Sequence, residues 1–389
     1  MKYILFVGLL MYLFISDSVS ASFGIGQVAL WSSSVLFILS ILKFFQIENK
    51  YDLTKNKIEI KIIILGLIVI VIKCLLLQFD QIRNTILFFI LPMLFSIFFK
   101  DQNDSIKKSC RNIILLFFIA NCLLAIYERF YFVNIFPYKD LEESFIVEDG
   151  FFRSTSLLGH PLNNSLIIST IMAFILNANL KDSAKFICIL LGFISLLCFN
   201  ARFAIILWII LIPLYLIHRL KNRNEKSISI YLTIPLVSLI IFVLFKLVVD
   251  FDLGARLFKN QIFDGSAITR ITVYNSINLI DFNTYIFGDS NQYLKIMNKL
   301  KTAGVENSLI VFIIKYGLLF FGVSVVFYYQ FFKNKLRNFD LFRKFILISA
   351  FIVLGLSNNG LVNPSVWGVF VIGICCFAPI NKNTVHKAT

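Results

Sequence analysis

Apolar runs alternate with short polar segments along almost the whole chain. We interpret these runs as α-helices, because a barrel strand would show roughly ten residues of alternating polarity instead. The pattern predicts about twelve membrane spans, some of which must extend into flanking polar residues to reach the roughly 20 residues of a crossing. Their approximate limits are 3–15, 27–45, 58–77, 82–99, 112–127, 161–175, 186–199, 203–217, 228–249, 308–332, 345–356 and 361–379.

The connecting loops predict the orientation of the spans. Loops 43–61, 100–111, 218–226 and 333–344 are rich in lysine and arginine, which is typical of cytoplasmic loops. Both termini are therefore expected in the cytoplasm. The first 22 residues also fit a cleavable signal peptide with a small-residue site near Ala21, and its removal would leave the later orientation unchanged.

Composition agrees with the apolar pattern. The 389 residues are 58% hydrophobic and 15% charged, whereas soluble domains average roughly 45–50% and 25%. We therefore expect an all-α polytopic membrane protein, with residues 1–389 forming one integral membrane domain. The net charge of +15 lies mainly in the predicted cytoplasmic loops, so it reports topology and does not require a nucleic-acid partner.

Lysines predominate in the predicted cytoplasmic loops, whereas the external loops are richer in arginine. The external arginines are Arg83, Arg129, Arg153, Arg202, Arg256 and Arg270. A guanidinium donates two parallel hydrogen bonds and keeps its charge, which suits a diphosphate or a carboxylate. The asymmetry therefore indicates an anionic ligand on the external side.

Only two predicted external segments are long, 128–160 and 250–305. The second carries apolar residues at helical spacing in ITRITVYNSINLI (268–280) and a basic amphipathic stretch, NQYLKIMNKLKTAG (291–304). We expect short amphipathic helices that lie on the membrane surface between the ninth and tenth spans. Such a platform could cover a lipid-linked substrate.

Four short motifs stand in these external regions and at the span ends beside them. They are RSTSLLGHP (153–161), NARF (200–203), TRITVYNSI (269–277) followed by IFGD (286–289), and ENSLIVFIIKYGLLFFG (306–322). In their order and placement they resemble the bacterial O-antigen polymerase and ligase superfamily, and the likeness covers roughly residues 110–380. The resemblance implies a GT-C-like helical membrane fold and no cofactor.

Within that superfamily, ligases carry a histidine before the asparagine that opens the tenth span, whereas this chain has Glu306 before Asn307. This difference favours a polymerase of the Wzy class. The resemblance then implies transfer of a growing glycan from undecaprenyl diphosphate to a lipid-linked repeat unit, at the outer face of the bacterial inner membrane. The resemblance also implies a chain-length regulator protein as a partner. An O-antigen ligase and a non-enzymatic flippase for the same lipid-linked oligosaccharide remain the alternatives.

Glycosyl transfer from a lipid diphosphate requires stabilisation of the departing diphosphate and a base for the attacking hydroxyl. Arg153, Arg202 and Arg270 are the candidates for the first task and need no metal. Their alternative role is to reach lipid phosphates at the interface. Glu306 is the candidate base. Helix capping is its alternative.

Two further candidates come from the same motifs. His160, before Pro161, is a candidate catalytic residue that could also hydrogen-bond a sugar or phosphate. Asn307 could bind substrate or cap the tenth span.

The remaining charged residues have less specific interpretations. Arg83 and Arg129 could pair with Asp80 and Glu128. We expect Lys73 and Lys246 near outer span ends, where their amines reach the interface. Lys315 lies inside the tenth span, where pairing within the bundle competes with catalysis, and the nearby Gly317 could mark a helix break. Asp250 and Asp252 form a DFD sequence that more plausibly terminates the ninth span than binds a metal.

Overall fold

The computed structural model describes residues 2–24, 56–100, 102–137, 152–222, 246, 274, 276–300, 307–357, 360–362 and 364–377. Its regular structure in these ranges is helical throughout. The predicted span 27–45, most of span 228–249, and Arg256, Arg270 and Glu306 lie outside them. The α-helices are α1 (Lys2–Phe14), α2 (Asp17–Ser22), α3 (Lys57–Leu75), α4 (Asp80–Thr85), α5 (Leu91–Lys100), α6 (Asp104–Tyr131), α7 (Pro161–Asn177), α8 (Asp182–Cys198), α9 (Arg202–Asn222), α10 (Phe282–Phe287), α11 (Ser290–Leu300), α12 (Ser308–Tyr316), α13 (Leu318–Lys335), α14 (Leu341–Ile348), α15 (Leu354–Leu356) and α16 (Pro364–Phe377).

The all-helical expectation is confirmed in these ranges, but the number of membrane spans is not. Among the described residues, two helical stretches are long and apolar enough to cross a membrane, Gln81–Phe99 and Asp104–Tyr131. Four other apolar helices are shorter, between 10 and 17 residues. The predicted run 308–332 is divided into two helices, α12 and α13. The basic amphipathic stretch that starts at residue 291 is helical as far as Leu300.

The centre of the bundle is formed by α7 and α16. Almost every residue of α7 is buried, and α7 contacts both α8 and α16. Helix α16 also packs against α5 and α6. Phe174 of α7 packs its ring against those of Phe370 and Phe377, with centroid distances of 5.6 and 5.5 Å. Close packing of large apolar side chains therefore holds the two central helices together.

A π-helical turn, Ile86–Ile90, joins α4 to α5 beside a cluster of aromatic rings. Phe88 in this turn contacts Tyr328 of α13 and Trp367 of α16 edge-on, at centroid distances of 5.7 and 5.2 Å. The Tyr328 hydroxyl donates a 2.8 Å hydrogen bond to the Phe88 carbonyl oxygen. A π turn interrupts the regular pattern of backbone hydrogen bonds in a helix. The Tyr328 hydroxyl therefore gives the Phe88 carbonyl oxygen a hydrogen-bond donor.

Two glycines allow a close backbone crossing between the turn after α10 and the break between α12 and α13. Gly288 has φ +74° and Gly317 has φ +86°, a region that side chains rarely adopt. A Cβ at Gly317 would overlap the Ile286 carbonyl group, and a Cβ at Gly288 would lie 2.5 Å from the Gly317 nitrogen. The predicted helix break at Gly317 is confirmed, and the crossing explains its need for glycine.

Candidate functional site

The RSTSLLGHP motif folds over a buried carboxylate at the end of α6. Glu128 has no exposed surface, and its Oε2 accepts hydrogen bonds of 2.8 Å from the backbone nitrogens of Thr155 and Ser156. Its Oε1 accepts a third bond, 2.9 Å long, from the nitrogen of Ile135. The carboxylate therefore fixes the backbone on both sides of the predicted external segment, and charge-assisted bonds of this kind are strong.

A pair of buried asparagines, one in α6 and one in α7, also binds the RSTSLLGHP motif. The Oδ1 of Asn121 accepts a 2.6 Å bond from the Ser156 hydroxyl, and its Nδ2 donates a 2.9 Å bond to the Oδ1 of Asn164 in α7. Asn164 in turn donates to the carbonyl oxygens of Thr155 and His160. Buried polar groups need such partners, so α6 and α7 together determine the path of the segment.

The N-terminal segment closes the other side of the motif. The Ser16 hydroxyl donates to the Leu157 carbonyl oxygen, and a Cβ at Gly159 would overlap the Ser18 hydroxyl. Gly159 has φ +65°, so glycine is required there both for space and for conformation. The residues 152–160, which we call the buried loop, are thus held by α2, α6 and α7.

Arg153 links the buried loop to the NARF motif. Its side chain is only 5% exposed, and its Nε donates a 3.3 Å bond to the Phe199 carbonyl oxygen. The neighbouring nitrogen of Ser154 donates to the Cys198 carbonyl oxygen at 3.2 Å. Because α9 begins at Arg202, three residues after Phe199, the structure brings together the segments of two predicted diphosphate ligands.

His160 caps α7. Its Nδ1 accepts a 3.2 Å bond from the Leu162 nitrogen, and Pro161 occupies the first helical position. Burial and the positive charge of Arg153 lower its pKa to about 3. The imidazole is therefore neutral at neutral pH and its Nδ1 lone pair serves the cap, so the geometry suits His160 as a hydrogen-bonding residue better than as a general base.

The remaining predicted site residues are only partly described. Asn307 caps α12, since its Oδ1 accepts bonds of 3.0 and 3.2 Å from the nitrogens of Leu309 and Ile310. The capping alternative for this residue is confirmed. Its Nδ2 donates to the Tyr274 hydroxyl at 3.3 Å. Arg270 and Glu306 lie outside the described residues, and their roles stay predictions.

The structure corrects the interpretation of Lys73. Its side chain is fully buried and does not reach an interface. The ammonium group donates to the Gln78 Oε1 at 2.9 Å and to the Gly288 carbonyl oxygen at 3.0 Å. Gln78 donates in turn to the Asp289 Oδ1 at 3.0 Å. Lys73 therefore supports the IFGD turn. A charged residue inside an apolar run was the feature of the sequence that could have indicated a buried role.

Two other charged residues have contacts that the sequence did not indicate. Arg83 lies 3.5 Å from the carboxylate of Asp17 in α2. Arg129 donates a 2.9 Å bond to the Phe152 carbonyl oxygen, while Glu128 binds backbone amides. Lys315 lies over the ring of Tyr293, with 4.7 Å between Nζ and the centroid. This contact supports pairing within the bundle, the alternative to a catalytic role for Lys315.

No protein-family model and no curated protein matches the chain.

Proposed function

We propose that the chain is a membrane-embedded glycosyltransferase that polymerises oligosaccharide repeat units carried on undecaprenyl diphosphate. The observation that carries the proposal is the bond from Arg153 of the RSTSLLGHP motif to the carbonyl oxygen of Phe199, the residue that immediately precedes the NARF motif. This contact brings a buried arginine, a neutral histidine and the start of α9 at Arg202 to one end of the bundle. Such a group suits a phosphate-bearing substrate.

Exposed apolar faces support a membrane location. Leu116, Ile119 and Leu123 of α6 are 55%, 38% and 54% exposed, at helical spacing. Similar faces occur on α3 and α9, and large exposed apolar patches mark contact with membranes or other proteins. Beyond a membrane location, we expect an inner-membrane protein of about twelve spans with both termini in the cytoplasm.

The length of α6 supports the same assignment. Lys107 and Glu128 mark polar clusters near its two ends, and 21 residues at 1.5 Å each separate them by about 30 Å. That separation equals the thickness of the hydrocarbon core of a bilayer. The buried loop would then lie at one membrane surface, which the predicted topology assigns to the outer face.

The proposed reaction is a single displacement. A hydroxyl oxygen of the acceptor sugar forms a bond to the anomeric carbon of the donor, and the bond from that carbon to the diphosphate oxygen breaks. Arg153, Arg202 and Arg270 would stabilise the negative charge on the departing lipid diphosphate. Glu306 would take the hydroxyl proton, while His160 would orient the substrate by hydrogen bonding.

The test is a polymerisation assay in the native cell. Deletion of the gene should leave single repeat units attached to the lipid A core, and Arg202→Ala should reproduce that result with normal membrane insertion. Arg83→Ala is the matched control, because Arg83 is half exposed and pairs with Asp17; it should retain long polymer. Normal polymer in Arg202→Ala would overturn the diphosphate role.

The same deletion separates the alternatives. Loss of a ligase would leave no repeat units attached to the core at all. Loss of a flippase would trap lipid-linked units on the cytoplasmic leaflet. Either outcome would overturn the polymerase proposal.

A further inference from the structure

A basic cavity lies at the opposite end of α6 from the buried loop. Its volume is about 640 Å³, and its lining includes the starts of α3 and α6 and the end of α13. The charged residues around it are Lys57, Glu59, Lys61, Lys107, Lys335 and Arg337. The described part of the lining therefore places five cations around one carboxylate.

The acid among the described lining residues is already neutralised. Glu59 is 2% exposed, and its Oε1 lies 2.7 Å from the Lys335 ammonium and accepts a 3.1 Å bond from the Ser96 hydroxyl. Among the described lining residues, this carboxylate and the Lys335 ammonium cancel, and the remaining cations, which include Lys57, Lys61 and Arg337, give the cavity a positive potential. The first turn of α3 also lines it, and the positive end of the helix dipole acts in the same direction.

The apolar part of the lining indicates the class of ligand. Ile58, Phe99 and Ile374 are buried around the cavity, and α3, which begins there, continues into an exposed apolar face at Ile64 and Leu67. Cations beside apolar helix surfaces are the arrangement that binds phosphate headgroups of lipids. A soluble phosphate would use the cations but gain nothing from the apolar face.

We propose that this cavity binds the phosphate headgroup of an anionic membrane lipid. In the predicted topology the site faces the cytoplasm, about 30 Å from the buried loop along α6, so it is separate from the proposed transferase site. Bound lipid would hold the starts of α3 and α6 against the end of α13. The site therefore anchors this end of the bundle in the anionic leaflet.

The test measures lipid binding by native mass spectrometry on the full chain in neutral detergent. Phosphatidylglycerol should bind more tightly than phosphatidylcholine. The double variant Lys61→Ala/Arg337→Ala should weaken phosphatidylglycerol binding roughly tenfold to thirtyfold, because each cation near an anionic surface contributes to attraction. Both residues are exposed, so folding should survive, and gel filtration checks it.

The matched control is Lys108→Ala/Lys333→Ala, which removes the same charge from two exposed residues that do not line the cavity. It should bind phosphatidylglycerol like the wild type. Equal affinity for the two lipids, or equal loss in both double variants, would overturn the site. Inorganic phosphate is the second arm: if it displaces the lipid at concentrations similar to the lipid's own binding range, the lipid assignment is overturned in favour of a soluble phosphate. None of these results depends on polymerase activity.

Discussion

At the level of single residues, the most consequential side chain is the buried carboxylate of Glu128. It accepts three backbone hydrogen bonds, two of them from Thr155 and Ser156. The sequence suggested only a salt bridge for it, because two of the three amides it binds belong to residues 27 and 28 positions later in the chain. A contact at that separation becomes visible only when the helix and the loop are folded together.

Glu128→Gln should destabilise the protein by about 1–3 kcal/mol, because an amide nitrogen cannot accept a hydrogen bond and would leave buried amides without a partner. Thermal unfolding in detergent measures the loss. Asp104→Asn is the control, since Asp104 is an exposed residue in the first turn of the same helix; its effect should stay below that of Glu128→Gln. Equal effects of the two substitutions would contradict the anchoring role.

His160 makes stability depend on pH. Its pKa in the folded protein is about 3, below the usual value of about 6.5, so the unfolded chain binds the proton first as pH falls. Between pH 7 and pH 5 the wild type should therefore lose about 1–2 kcal/mol more than His160→Asn, in which asparagine keeps the helix cap. Denaturation at the two pH values measures this difference. The same pH dependence in both proteins would show that His160 does not titrate as stated.

At the level of elements, two predicted spans depart from a regular α-helix at one point each, where local geometry competes with it. The π turn at Ile86–Ile90 keeps its helix continuous, whereas Gly317 ends α12. The sequence indicated the second, because glycine is a visible helix breaker. It could not indicate the π turn, because the run ILFFI has no unusual residue. The hydrogen bond to the Phe88 carbonyl oxygen comes from Tyr328 in α13, which is distant in the sequence.

Tyr328→Phe should destabilise the bundle by about 1–3 kcal/mol, since the Phe88 carbonyl oxygen would lose its 2.8 Å donor in a buried site. Tyr329→Phe removes the same hydroxyl from the next residue, which is 65% exposed, and should change stability little. Chemical denaturation of the two variants checks the difference. If they were equally stable, the hydroxyl would have no role in the π turn.

Gly317→Ala should be strongly destabilising, because its φ of +86° and the close Ile286 carbonyl exclude a side chain. Gly322→Ala on the next helix meets nothing within 4 Å and should be neutral or stabilising by up to about 1 kcal/mol through helix propensity. Melting temperatures of the two proteins test the pair. A stable Gly317→Ala protein would contradict the backbone crossing.

At the level of the whole molecule, hydrophobic pattern predicted most helices but not the contacts that join distant parts of the chain. The predicted spans 203–217 and 361–379, for example, lie within five residues of the observed helices α9 and α16, because a long apolar run bounded by polar residues indicates a helix directly. The role of Lys73 was missed, since its partner Gly288 is 215 residues away. Periodicity carries no information about such pairings.

Lys73→Met tests whether that distant contact holds the IFGD turn on the bundle. Methionine keeps the length and apolar character of the side chain but removes the donor to the Gly288 carbonyl oxygen and to Gln78. Hydrogen exchange should rise in residues 286–300, while α7, which is buried elsewhere in the bundle, keeps its protection. Lys299→Met changes an exposed lysine of α11 and should leave both regions unchanged. Because α11 lies within the predicted platform over the substrate, a Lys73→Met protein that loosens only this region should also form shorter polymer. Unchanged hydrogen exchange in residues 286–300 would mean that the turn is held by the crossing of Gly288 and Gly317 alone.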